Sequence, residues 1–131
     1  MAWNVYASRE ELAFLMEAGL IYRDAHRFDE AAAVFRGVRA LLPQSEVPEV
    51  ALGTLEFERG NLDVAVSHYE NALKINAKSA YAHSHLAEAY FMRKNIAAAR
   101  EHSKRAIELD KRGETGKFAR SLSDLIDLIH K

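Results

Sequence analysis

Apolar residues recur three and four positions apart along almost the whole chain, the spacing of one face of an α-helix, and no stretch shows the strict alternation of a strand. A longer rhythm is laid over this short one. The stretch AVFRGVRALLP at 33–43 is followed 34 positions later by SHYENALKINA, in nearly the same order of apolar and polar letters. A further shift of 34 finds a third copy. Ala31, Ala65 and Ala99 align, and three positions before them Phe28, Leu62 and Ile96 end the turn-forming triplets HRF, GNL and KNI. Phe35, Tyr69 and Ser103 share a column, as do Val38, Ala72 and Ala106. Upstream, Gly19, Gly53 and Ala87 align, and Tyr22 and Tyr90 share a column that Glu56 interrupts.

This period predicts three helix–turn–helix units, over about 12–45, 46–79 and 80–113, in one domain spanning 1–131. Gly19, Gly53 and Ala87 are small because the paired helices approach closely there, and the aligned alanines do the same from the second helix. Ser8 and Glu11 read as a capping box opening the first helix. Pro43 ends the first unit because it cannot donate to a continuing helix. Ser45 caps the next helix, and Pro48 is tolerated in its first turn. Gly113 closes the third unit. A last helix, about 115–130, carries Phe118, Leu122, Leu125, Ile126 and Ile129 on one stripe, with Asp124, Asp127 and Lys131 turned to water. That stripe caps the stack or forms a dimer seam.

The succession of small residue, aromatic, Ala, aromatic, Ala and closing Pro at a 34-residue period resembles the tetratricopeptide repeat, over about four-fifths of the chain. The departures are Leu15, Glu49 and His83 at the family's frequent tryptophan, Ser103 at the second aromatic, and Ala77 and Lys111 at the closing proline. The resemblance implies an all-α fold in which three repeats stack as a short right-handed superhelix with a C-terminal capping helix. It also implies that the first helices of the repeats line a concave groove for a partner peptide. Carried over column by column, the groove residues are Met16, Leu20, Val47, Val50, Ala51, Phe57, Tyr81, His85 and Phe91. Phe57 and Phe91 are equally core positions. Family members that clamp acidic chaperone tails carry Lys, Asn and Arg at clamp positions that here hold Met16, Leu20, Ala51, Tyr81 and His85, so no such clamp is expected. Three repeats, a C-terminal helix and an apolar groove are similar to the small chaperones of type III secretion translocators, which keep an apolar segment of their client soluble in the cytoplasm.

Composition narrows the remaining choices. Hydrophobic residues at 49% and charged residues at 28% support a chain that folds unaided. With no cysteine there is no disulfide, thiolate nucleophile or Cys-ligated zinc. No stretch approaches the roughly 18 uninterrupted apolar residues of a membrane span, and MAWNVYASREE does not read as a signal peptide. A cytoplasmic protein without membrane contact is expected. The net charge of −1 divides unevenly: residues 1–92 carry eight basic and thirteen acidic side chains, residues 93–131 ten and six. Acids are interleaved with the bases of that end, which favours a solvated helical face over a nucleic-acid footprint.

The six histidines do not form a metal or catalytic set. His83 and His85 are two apart and point to different sides of a helix, whereas helical ligands sit three or four apart. His68 and His102, one repeat apart, are expected on the solvated surface, and His26 takes the usual place of a turn glycine. GETGK lacks the length and the preceding strand of a phosphate loop. The chain therefore reads as a non-enzyme with no cofactor, metal or small-molecule substrate. Three functions remain open: a peptide-binding adaptor or secretion chaperone whose client has apolar anchors, a scaffold subunit, and a nucleic-acid binder through the basic third. A homodimer is compatible with each.

Overall fold

The computed structural model describes residues 8–130. Seven helices follow one another: α1 (Arg9–Asp24), α2 (Phe28–Leu41), α3 (Val47–Glu58), α4 (Leu62–Ile75), α5 (Ala80–Met92), α6 (Ile96–Leu109) and α7 (Glu114–Ile129). The second helices of the three repeats, α2, α4 and α6, begin 34 residues apart, as the sequence period requires. Ser8 accepts from the Glu11 amide at 3.1 Å, which is the serine half of the expected capping box. Ser79 caps α5 in the same way through the Ala82 amide. Ser45 is not the cap expected of it: Glu46 takes the N-cap place of α3 without a side-chain bond, Ser45 accepts from the Val47 amide at 3.3 Å just ahead of the helix, and Pro48 sits in the first turn.

The three tight turns inside the repeats share one geometry. His26, Gly60 and Lys94, again 34 apart, have φ of 59°, 85° and 65°. Behind each, the amide of the next residue bonds five residues back: Arg27 to Tyr22, Asn61 to Glu56 and Asn95 to Tyr90. This is the left-handed closure that commonly ends a helix, and it is why turn letters recur in that column. Glycine occupies it once.

The core is a chain of three clusters along the stack. The first joins Ala31 and Phe35 to Ala51, Leu52 and Leu55, with Met16, Leu20 and Phe28 packed against them. A second joins Val50, Ala65, Tyr69 and Ala72 to Ala82, Leu86 and Ala89. The third joins Ala87 and Ala99 to Leu122 and Ile126 of α7. The first two clusters span the boundaries between repeats and the third the boundary with α7, so neighbours bury one another's faces.

The small-residue column works as anticipated and adds a compensation. A Cβ on Gly19 would fall 2.8 Å from Phe35 Cζ, and one on Gly53 would fall 2.5 Å from Tyr69 Cε1. In the third repeat the equivalent pair is Ala87 and Ser103, both fully buried. The glycine side has grown by a methyl group and the aromatic side has shrunk to a hydroxymethyl.

Helix α7 is fastened at both ends. Asp110 accepts from the Gly113 and Gly116 amides at 2.9 and 3.2 Å, and near the other end Arg100 pairs with Asp127. Its apolar stripe divides. Ala119, Leu122 and Ile126 are buried, whereas Phe118, Leu125, Leu128 and Ile129 remain exposed. The expectation that one continuous stripe would pack on the last repeat is thus corrected: the stripe is wider than the face it covers. Lys131 lies outside the described residues.

Candidate functional site

The first helices of the repeats, α1, α3 and α5, supply the expected groove positions, and the structure sorts them into three kinds. Val50 is fully buried and Ala51 nearly so, each inside a core cluster, so neither forms an open floor. This corrects the column-by-column assignment of these two residues: the repeat register turns Val50 against α4 and α5. Met16, Leu20 and Phe57 are half-buried and lean on the core. Val47, Tyr81, His85 and Phe91 keep accessible surface.

Tyr81 and His85, one turn apart on α5, meet edge to face with ring centroids 4.6 Å apart, and the Tyr69 ring lies 5.5 Å from His85. Two clefts open where α5 faces α7. One, of about 260 Å³, is lined by Tyr81, Ser84, His85, Glu88, Glu114 and Phe118 among others. The other, of about 280 Å³, is lined by Glu88, Phe91, Met92, Phe118, Ser121 and Leu125 among others. Glu88 and Phe118 belong to both. Met16, Leu20, Val47 and Phe57 line neither cleft. The α7 wall, Phe118 and Leu125, was missed as a site from sequence, although the signal was present. The two residues lie seven apart and share an edge of the stripe that Leu122 and Ile126 do not occupy.

Burial sets the electrostatics of these walls. It pulls the His85 imidazole down to about 4, with the nearby Arg23 charge acting in the same direction, so the ring is neutral around pH 7. His85 Nδ1 is buried without a hydrogen-bond partner. Desolvation raises the Glu88 carboxyl above the ordinary carboxylate range and lifts the Tyr81 phenol. Arg23 itself is engaged by Asp24 at 3.2 Å and Glu58 at 3.8 Å.

The other histidines depart from expectation more sharply. His68 and His102 were expected on the solvated surface, and both are instead half-buried and partnered. His68 Nδ1 donates to Glu49 at 2.9 Å, while Arg39 donates to the other oxygen of the same carboxylate at 2.7 Å. Burial works to raise the Glu49 carboxyl, but the bonds from His68 and Arg39 outweigh it and hold the group below its usual range. One repeat later His83 Nε2 donates to the Ala77 carbonyl at 3.0 Å, which leaves its Nδ1 to accept from His102 Nδ1 at 3.0 Å. His83 and His85 do point to different sides of α5. Among the described residues, no group of three or more His, Cys, Asp and Glu is placed to hold a metal ion.

The basic end is laced with acids, as its interleaved sequence implied: Arg93 pairs with Asp63, Arg100 with Asp127, Arg105 with Glu108 and Lys117 with Glu114, while Arg120 donates to the Lys111 carbonyl. No described helix is long and apolar enough to cross a membrane.

Comparison with known proteins supports the repeat reading. A family model for the TPR repeat matches residues 53–94, from the middle of α3 through the turn after α5. No curated protein matches the sequence. Solved structures are similar over nearly the whole chain. The type III secretion chaperone SycD of Yersinia enterocolitica, in complex with a peptide of the translocator YopD, is 20% identical with a TM-score of 0.78, over 95% of this chain and 98% of that one. PcrH from Pseudomonas aeruginosa is 17% identical with a TM-score of 0.80, over 97% and 99%. The first TPR of Spaghetti (RPAP3), bound to the HSP90 peptide SRMEEVD, is 20% identical with a TM-score of 0.77, over 96% and 98%. The likeness is one of fold: the chain has the tetratricopeptide-repeat fold, shared with the type III secretion chaperone SycD and with the RPAP3 domain.

Proposed function

We propose that this chain is a non-catalytic peptide-binding module of the adaptor or secretion-chaperone kind, working in the cytoplasm and holding a client segment by apolar side chains along α5 and α7. The observation that carries this reading is the pair of clefts flanking Phe118, a residue 40% exposed between Tyr81 on one side and Met92 and Leu125 on the other. An exposed row of this kind is a common mark of an interaction surface. Similar folds have been solved with peptides: SycD with a peptide of YopD, PcrH with the chaperone-binding region of PopD, and the RPAP3 domain with the HSP90 peptide SRMEEVD. An acidic peptide like the last is the poorer fit here. His85 is neutral around pH 7, and Arg23 is held by Asp24 and Glu58.

Burying a Leu- or Phe-sized anchor contributes roughly 1.5–3 kcal/mol. Two or three anchors, less the cost of ordering the peptide, give an affinity around micromolar. The test is calorimetry of the full chain against a client segment mapped from native cytosol. Phe118→Glu and Leu125→Glu, both in the cleft walls, should each weaken binding by tenfold or more, and Lys117→Glu with Arg120→Glu should leave it nearly unchanged. If the basic-end changes abolish binding in a salt-dependent way while the groove changes do nothing, a charge-driven, nucleic-acid type of interaction replaces this reading.

Self-association is the second reading, favoured by the exposed Phe14 and Ile21 on α1 and Leu128 on α7. Sedimentation at micromolar concentration distinguishes it from a monomeric receptor.

A further inference from the structure

Glu88 stands apart from the other half-buried and buried acids of the molecule. Glu49 is bonded by Arg39 and His68, while Glu88 makes no hydrogen bond or ion pair among the described residues. It lies one turn beyond His85 and forms part of the wall of both clefts, beside the Phe118 ring that separates them. Neither cleft has a lysine or arginine in its lining. The nearby base, Arg23, is already paired, and His85 is neutral around pH 7. A purely apolar segment laid across both clefts would strand this carboxylate away from water, at a cost no protein group offsets. An acidic segment would add repulsion to that cost.

We infer that Glu88 sets the specificity of the groove, and that the segment fitting the two clefts carries a lysine or arginine between two apolar anchors. The inference rests on the peptide-binding reading above. The anchors fill the clefts on either side of Phe118. The methylene stem of the cation crosses the ring, as long basic side chains do on apolar surfaces, and its head meets Glu88. An arriving cation favours the ionised carboxylate and so opposes the upward shift that burial imposes on Glu88. The pair gives the groove a direction of charge opposite to that of an acidic-tail clamp.

The test uses the full chain and fluorescein-labelled dodecamers with two leucines separated by two to four residues, and Lys, Gln or Glu midway between them. Fluorescence anisotropy should rank Lys over Gln over Glu, with roughly five- to tenfold between the first two, the range of a partly buried charge-assisted contact. Glu88→Gln should erase the Lys preference, bringing the Lys and Gln peptides to the same affinity, and Phe118→Ala should weaken all three. If the peptides bind and respond to Phe118→Ala but show no Lys preference, or keep it in Glu88→Gln, the charge assignment is overturned and the groove reading stands. If no peptide binds at any spacing, both fall. A dimer that binds none of them and dissociates on Phe118→Glu assigns the clefts to a second copy of the chain and overturns the proposal as well.

Discussion

The second and third repeats place the same pair of backbone positions, 19 residues apart, in contact between their paired helices, and fill them with different chemistry. In the second repeat the pair is Glu49 and His68, joined by Arg39 from α2; in the third it is His83 and His102, with the Tyr90 ring stacked on His102. The first repeat has Leu15 and Val34 at these places. The scaffold therefore fixes where a contact occurs and leaves its nature free. A buried carboxylate with two donors ties α2, α3 and α4 together, whereas two neutral imidazoles sharing one proton join only α5 and α6. The difference recurs at the close approach, Gly53 with Tyr69 against Ala87 with Ser103, and at the turn, Gly60 against Lys94.

The largest expected effect comes from forcing the second repeat's close approach toward the third's. Gly53→Ala places a methyl group against the fully buried Tyr69 ring, which cannot swing away, and should cost about 2–3 kcal/mol by urea unfolding. The reverse change in the third repeat, Ala87→Gly, creates no clash and should cost about 1 kcal/mol, chiefly as helix propensity. Equal costs would show that the two repeats pack alike and that the compensating column is coincidental.

Next comes the charged pair. Glu49→Gln keeps the shape but removes the charge that Arg39 and His68 address, and should cost about 1–2 kcal/mol at pH 7. The folded-state carboxyl lies below its ordinary 4.5, so its contribution is complete above that value and is lost as pH falls through the lowered one. The variant and the parent should therefore converge in unfolding curves taken well below pH 4.5. A gap that persists there would mean the carboxylate is not what stabilises the site.

The third repeat should fail at a higher pH. Burial holds both His83 and His102 below the ordinary 6.5; His102 is further lowered by His83 and His83 by Arg105, while Glu101 opposes on both and Glu70 on His102. A histidine with a depressed folded value adds stability above 6.5 that declines as pH drops from there toward the depressed one. His85, at about 4, acts in the same direction. Protonation also removes the acceptor at His83 Nδ1. Urea midpoints should thus fall between pH 7.5 and 5.5. Joint replacement by the apolar chemistry of the first repeat, His83→Leu with His102→Val, should flatten part of that fall and leave the part that His85 contributes. A slope unchanged in the double variant would trace it to other groups.

The reach of the sequence followed from what each side chain must satisfy. Helix order, turn positions and the close-packed columns were legible because they depend on one residue at a time, such as the smallness of Gly53 or a turn letter at Asn61. The pairs at 49/68 and 83/102 were not, although the spacing was there to read. Each column, scanned alone, showed a missing tryptophan or a surface histidine, and only the contact of α3 with α4, or of α5 with α6, makes the two halves one feature. The burial of Val50 is illegible for a related reason. The first helices of the repeats bury one face in their own repeat and a second against the next, and a column pattern does not say which residue goes where. The apolar character of Phe118 and Leu125 is legible but their exposure is not, because the width of the face that receives α7 is set by tertiary structure.

The smallest effect tests the turns, and its sign is the informative part. Gly60 holds φ of 85° without penalty, whereas Lys94 at 65° and His26 at 59° adopt the same left-handed backbone with a Cβ that crowds the following carbonyl. His26 recovers part of that strain through its edge-to-face contact with Phe28 at 5.6 Å. The Lys94 side chain makes no hydrogen bond or ion pair among the described residues, and it is exposed. Lys94→Gly should therefore stabilise the chain by about 0.5 kcal/mol, the relieved strain being partly cancelled by the greater freedom of glycine in the unfolded chain. His26→Gly should gain less, and Gly60→Ala should lose about 1 kcal/mol, since open space around its Cβ does not remove the backbone penalty. Thermal unfolding of the three single variants under one buffer reads the order directly. If Lys94→Gly destabilises, the lysine is held by a contact in the third repeat that the second lacks, and the turns differ in energy as the buried pairs do.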